Sequence, residues 1–308
     1  MQMESVNGSV RRRIVRHGPY TIRALSRGSP TGPHAVVLPG MAATVRAVAP
    51  QLRLLRSLGY TTHVIDLPGY GVGPPLRRDD ASFPALARLV REAARALGVE
   101  RALLLGHSLG GGLALHLALL DRAFVERLVL LAPAAVGRSL AWIYRLFCLP
   151  LIGRALLRPN RRGSHPYVRR FLVGSRRRSD RHFVEMLLRQ EVHSPAKTRT
   201  TRAIVWANQP DARRDFLSAL WPGREQAAFT LNRRLVELRH IPTLLLWGNE
   251  DGMICARDAA YLRAANPDAE IHIARGIGHM LTLEAAAWVN RHVARFAALP
   301  QAESSGAS

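Results

Sequence analysis

The chain has 308 residues, 48% of them hydrophobic, which is long enough for one sizeable core and too apolar for a disordered protein. It has only two cysteines, Cys148 and Cys255, with no CxxC and no His/Cys cluster, which argues against a disulfide framework, a structural zinc or any bound metal. The formal net charge is +22, and Lys197 is the single lysine among 44 basic residues. The excess is uneven: residues 137–240 carry 22 basic and 7 acidic side chains, whereas residues 241–308 carry 5 and 7. The first 18 residues contain no apolar run of the signal-peptide kind, and no uncharged apolar run reaches membrane-spanning length, so a cytoplasmic location is expected.

Val10–Val15 and Tyr20–Leu25 alternate as two strands of a hairpin, and a Gly/Pro-rich turn over residues 28–33 follows. A short apolar strand, Ala35–Leu38, runs into Pro39-Gly40-Met41-Ala42. The pattern then predicts a helix from Val45 to Leu58, closed by Gly59, and a strand over Thr62–Ile65. After the turn Asp66-Leu67-Pro68-Gly69-Tyr70-Gly71-Val72-Gly73, Ser82 caps a helix reaching Leu97. Strand Ala102–Leu105, a buried helix from Leu109 and strand Leu128–Leu131 continue the alternation, which predicts parallel βαβ units. Past Pro133 the alternation stops. Residues 136–240 read as helical, basic and without clear strands. The pattern resumes with strand Leu244–Trp247, helix Ala256–Ala265, strand Glu270–Ile273 and helix Leu283–Phe296.

This predicts an α/β core in two parts, 1–135 and 241–300, with a helical insertion at 136–240 and a polar tail at 301–308. Within the insertion, Ser139–Arg158 is mostly apolar and is broken by Pro150 and Gly153 into two short helices.

Between strand Ala102–Leu105 and its helix lies Gly106-His107-Ser108-Leu109-Gly110, a G-x-S-x-G pattern. Such a pattern marks a sharp strand-to-helix turn that exposes a serine hydroxyl at its apex. Gly110, Gly111 and Gly112 together cost a helix about 3 kcal/mol against alanine, which implies a close backbone approach. An activated serine needs a general base, and the base needs an orienting carboxylate. In an open parallel sheet these groups gather beyond the carboxyl ends of the strands. Glu250 and Asp251 follow one late strand, and His279 follows the next, giving the chain order Ser, acid, His. The residues alone leave Glu250 and Asp251 both open as the acid.

On these motifs the sequence resembles the α/β-hydrolase superfamily, in its lid-bearing serine esterase and lipase-like branch. The resemblance covers about residues 10–298. It implies the α/β-hydrolase fold, a mostly parallel central sheet flanked by helices, with the 136–240 insertion as a helical lid. It implies Ser108 as nucleophile, Asp251 as acid and His279 as base. It further implies an oxyanion hole from the backbone amides of Met41 and Leu109, and no cofactor. Two positions depart from the family pattern. Pro39 stands where many members have histidine, and Gly73 replaces the serine of the Asp66 turn.

The activity so implied is hydrolysis of a carboxylic ester with an apolar acyl group, the partner being a small acyl substrate. A carbon–carbon bond, a thioester or a lactone are alternatives for the same residues. The arginine-rich insertion allows peripheral contact with an anionic membrane. A nucleic-acid partner, or a non-catalytic basic binding protein, is the rival class. Sparse aromatics, 6% and not interleaved with the arginines, argue against nucleic acid. The oligomeric state is not legible.

Overall fold

The computed structural model describes residues 3–6, 10–29, 31–139, 168–190, 195–208 and 231–298. Among these residues nine strands form one sheet in the order β1-β2-β3-β5-β4-β6-β7-β8-β9. The strands are β1 (Met3–Val6), β2 (Val10–His17), β3 (Tyr20–Arg27), β4 (His34–Leu38), β5 (Thr61–Ile65), β6 (Ala102–His107), β7 (Val125–Leu131), β8 (Thr243–Gly248) and β9 (Glu270–Ala274). Strands β1 to β3 pair antiparallel, β3 joins β5 antiparallel, and from β5 to β9 every pair is parallel. β4, β6, β7 and β8 are apolar almost throughout and buried, as expected for strands covered on both faces by helices.

Helices α1 (Ala49–Ser57), α2 (Phe83–Ala96) and α3 (Leu109–Leu120) link the first strands. Ser82 caps α2 as expected, its Oγ accepting from the Ala85 amide at 3.4 Å. The predicted helix over Val45–Leu58 is divided: Val45–Val48 is a 3₁₀ turn, and α1 begins at Ala49. Pro50 explains this, because a proline lacks the N–H that a continuing helix needs and is tolerated only in a first turn. The terminal helix is also divided, into α7 (Leu281–Glu284) and α8 (Ala286–Ala297), at Ala285 (φ −128°, ψ 36°). Between these and β8 lies α6 (Ala259–Ala265).

The long connection from β7 to β8 contributes α4 (Arg181–Gln190) and α5 (Pro195–Ala207) among its described residues, and no strand there. The two helices predicted within Ser139–Arg158 fall outside the described residues from 140 onward. Among the described residues no helix is long and apolar enough to cross a membrane.

The chain runs leftward from β4 to β5 and then crosses to β6 on the other side of β4. That reversal opens a crevice between the loops leaving β4 and β6, the usual place for a site on an open parallel sheet.

Candidate functional site

Ser108 follows β6 directly and sits at φ 54°, ψ −117°, in the left-handed half of conformational space that non-glycine residues avoid. Strain of this kind costs about 1–3 kcal/mol and persists only where neighbours enforce it. Here the Ser108 amide donates to the Leu131 carbonyl at 3.0 Å, and its carbonyl accepts from Ala134 at 2.8 Å. The flanking glycines are required sterically. A Cβ at Gly106 would run into the Gly110 carbonyl, and one at Gly110 would run into the carbonyl of Leu38. At Gly111 it would come within 2.7 Å of Pro133, and at Gly112 within 2.9 Å of Phe83. The glycine run therefore buys close packing of α3 against β4, β7 and α2.

His279 and Asp251 come from the two loops beyond β8 and β9, which are laced together. The Asn249 amide donates to Ala274, the Glu250 amide to Ile277 at 2.9 Å, and the Gly276 amide to Asn249 Oδ1 at 2.7 Å. A Cβ at Gly248 would strike the Ile277 carbonyl, so only glycine lets the loops approach this closely. The result is a continuous line: Asp251 Oδ2 lies 2.7 Å from His279 Nδ1, and His279 Nε2 lies 2.9 Å from Ser108 Oγ. Asp251 and His279 are buried. Asp251 Oδ2 also accepts from Trp247 Nε1 at 3.0 Å, and Oδ1 accepts from the amides of Met253 (2.8 Å) and Ile254 (3.0 Å). Four donors converge on this one carboxyl and fix its orientation toward His279.

Glu250 faces elsewhere. Its carboxylate accepts from the Ser175 amide and hydroxyl, both at 2.7 Å, and meets Arg178 at 3.5 Å. Those hydroxyl and amide donors hold its carboxyl below the usual range. Of the two adjacent acids, Asp251 alone reaches the histidine.

The loop after β4 passes over the start of α3. Gly40 lies against the serine turn, since a Cβ there would be 3.1 Å from His107 Nδ1 and 3.4 Å from Ser108 Cβ. Ala43 donates to the Gly40 carbonyl at 3.1 Å, and Ala42 has φ 55°, so Gly40–Ala43 is a type II turn with Met41 at its second position. Leu109 follows Ser108 directly in the chain, and Met41 follows the Gly40 that lies against it. His107 is a packing residue: its Nε2 donates to the His279 carbonyl at 3.0 Å, and burial pushes it down to about 3, leaving the ring neutral. Gly73, one departure from the family pattern, has φ 81°, a backbone that suits glycine better than serine.

Two side chains around the site escaped the sequence reading. Trp247 is fully buried and braces Asp251; its only signal was an aromatic at the strand end before Gly248. Glu284, buried in α7, accepts from the amides of Gly174 (2.8 Å) and Gly278 (3.1 Å), tying the β7–β8 connection to the His279 loop. Burial raises its carboxyl above the ordinary value of 4.5, with the amide donors opposing. A carboxyl raised in the folded state adds stability that is complete below its unfolded pKa and is lost as pH rises through the folded value. Glu284→Gln removes that titration. The stability of the natural chain relative to the variant should therefore fall from pH 4.5 upward, measured by urea unfolding at several pH values. A difference independent of pH would contradict this.

A sharp serine turn, a buried carboxylate–histidine pair and a crevice at the carboxyl edge of a parallel sheet define a hydrolase-type site on an open α/β scaffold. The family model of the alpha/beta hydrolase fold matches residues 33–286, and the chain belongs to that family. It is similar to the uncharacterized protein Rv2715 of Mycobacterium tuberculosis, 29% identical over 231 residues, covering 71% of this chain. The match spans 62% of that relative, less than two-thirds of its length. A 2-hydroxy-6-oxononadienedioate/2-hydroxy-6-oxononatrienedioate hydrolase of Comamonas testosteroni is 26% identical over 238 residues, covering 76% of this chain and 75% of that protein. A hydrolase from Pseudomonas aeruginosa shares the fold at a TM-score of 0.72 and 20% identity, covering 94% of this chain and 98% of that one.

Proposed function

We propose that the protein is a serine hydrolase that cleaves carboxylic esters of apolar acyl groups through an acyl-enzyme on Ser108. The observation that carries this reading is the hydrogen-bonded line from Ser108 Oγ through His279 to Asp251. His279 Nε2 takes the hydroxyl proton as Ser108 Oγ bonds to the acyl carbon. The same proton then passes to the leaving alkoxide as the ester C–O bond breaks. Water, deprotonated by His279, attacks the acyl-enzyme and frees the acid and the serine. Asp251 keeps the Nδ1–H tautomer and stabilises the imidazolium. The amides of Met41 and Leu109 receive the oxyanion, each worth about 3 kcal/mol by the scale of other oxyanion donors. The arginine-rich connection from β7 to β8 would allow contact with an anionic membrane surface.

Cleavage of a carbon–carbon bond beside a ketone is the second reading, favoured by the similarity to the Comamonas testosteroni hydrolase. A panel of p-nitrophenyl esters of increasing acyl length, run beside a 2-hydroxy-6-oxo-dienoate, separates the two by which substrate is turned over.

The broader reading is tested by a fluorophosphonate probe, which labels an activated serine. The natural chain should be labelled and Ser108→Ala should not, with ester turnover falling by about three orders of magnitude or more. An unlabelled natural chain, or equal labelling of the variant, would leave a non-catalytic basic binding protein as the better account.

A further inference from the structure

The chain uses arginine at every basic position except Lys197, and that lysine is buried on α5 in the seam between the β7–β8 connection and the core. Its Nζ donates to the Ala42 carbonyl at 3.3 Å. Asp66, whose buried carboxylate is already held by Arg23 at 2.6 Å, is near enough to feel its charge. Lys197 therefore reaches the loop that leaves β4, at the turn whose Gly40 packs on Ser108.

Ala42 is the third residue of the Gly40–Ala43 turn, a position that calls for glycine or asparagine because φ is positive there. An alanine in that conformation relaxes unless something holds it. One end of the turn is held by Gly40 packing on His107 and Ser108. The other end is held by the Lys197 ammonium. An ammonium suits this place better than a guanidinium, being compact and able to point a single donor at one carbonyl.

We infer that Lys197 is a positioning residue: from α5 it fixes the left-handed Ala42 and so aims the Met41 amide at the oxyanion. This deepens the reading of Ser108 as nucleophile and of Met41 as oxyanion donor, and rests on it. Docking of α5 does not depend on Lys197. Thr200 Oγ1 donates to the Pro68 carbonyl and accepts from Leu76, both at 3.0 Å. Tyr70 and Thr201 hydroxyls are 3.0 Å apart, and Asn208 accepts from the Phe83 amide at 2.9 Å. Removing the ammonium leaves these contacts in place, and leaves Asp66 with Arg23.

The test compares Lys197→Met and Lys197→Gln with Thr200→Val, which weakens docking without touching the Ala42 turn. The readouts are kcat and KM on p-nitrophenyl acetate, inhibition by phenylboronic acid, which mimics the tetrahedral state, and Tm. Lys197→Met should lower kcat about tenfold with KM within about twofold, and weaken the boronate by the same factor as kcat. Lys197→Gln, which keeps a neutral donor, should fall between, and it carries the test if the methionine variant does not fold. Thr200→Val should lower Tm while leaving kcat and boronate affinity within about twofold. The inference is overturned if the Lys197 variants keep natural kcat and boronate affinity, or if Thr200→Val shows the same losses. Failure of the underlying reading looks different: the natural chain itself would then take no fluorophosphonate label.

Discussion

Replacing Asp251 with asparagine is expected to lower ester turnover by about four orders of magnitude, the scale found when a triad acid loses its charge but keeps its shape. Asp251 Oδ2 accepts from both His279 Nδ1 and Trp247 Nε1, while Oδ1 accepts from Met253 and Ile254. An asparagine has one acceptor oxygen to offer four donors. If that oxygen stays on the two backbone amides, the NH₂ group points at His279 and forces the other tautomer. His279 Nε2 would then carry a proton and could not accept from Ser108. Glu250→Gln is the matched control. Its carboxylate holds Ser175 and Arg178, so turnover should stay within about threefold while the fold is loosened by roughly 1 kcal/mol. Steady-state kinetics and denaturant unfolding on the two variants check both statements. A large catalytic loss in Glu250→Gln with a small one in Asp251→Asn would reverse the assignment of the acid.

Gly110→Ala is expected to be the most damaging glycine-to-alanine change among the described residues. The new Cβ would overlap the Leu38 carbonyl and stand 2.7 Å from that of Pro39. Both are backbone atoms, one of them in a buried central strand, so neither can swing aside as a side chain would. Overpacking of this kind costs about 3 kcal/mol or more. Because the displaced backbone leads directly to Met41, folded molecules should also lose turnover. Gly98→Ala supplies the contrast. Nothing lies within 4 Å of its Cβ, and only its φ of 75° opposes the substitution, a penalty of about 1–2 kcal/mol. Urea unfolding of the two variants should differ by at least the gap between these figures. Equal losses would mean that the turn from β6 to α3 is looser than its contacts imply.

Much of the fold was legible because its signals are local. Apolar runs of strand length, glycines just past helix ends and the serine cap of α2 all act within a few residues. The first strand, Met3–Val6, escaped notice, since its pairing with β2 depends on register across the hairpin and not on its own pattern. The divisions of three predicted helices escaped as well, at Val48, at Ala285 and at Asp258, where a 3₁₀ turn over Ala256–Asp258 precedes α6. The first carried a signal in Pro50; the second falls in a run of alanines that reads as unbroken helix.

The site divides in the same way. The sequence by itself determined which residues follow which strands: Ser108, His279, and an acid at 250 or 251. Strand-end position and glycine punctuation are properties of short segments, and short segments are readable. The residues themselves left the two acids open, and the family resemblance favoured Asp251. The tertiary structure puts Asp251 on His279 and Glu250 on Ser175, because adjacent carboxylates in one turn point in different directions and only the partner loops distinguish them. It also decided what surrounds the serine. Trp247 braces Asp251, Glu284 ties the histidine loop to the β7–β8 connection, and Lys197 reaches across the seam to Ala42. Each of these joins elements far apart in the chain, where no periodicity or spacing carries a trace of the contact.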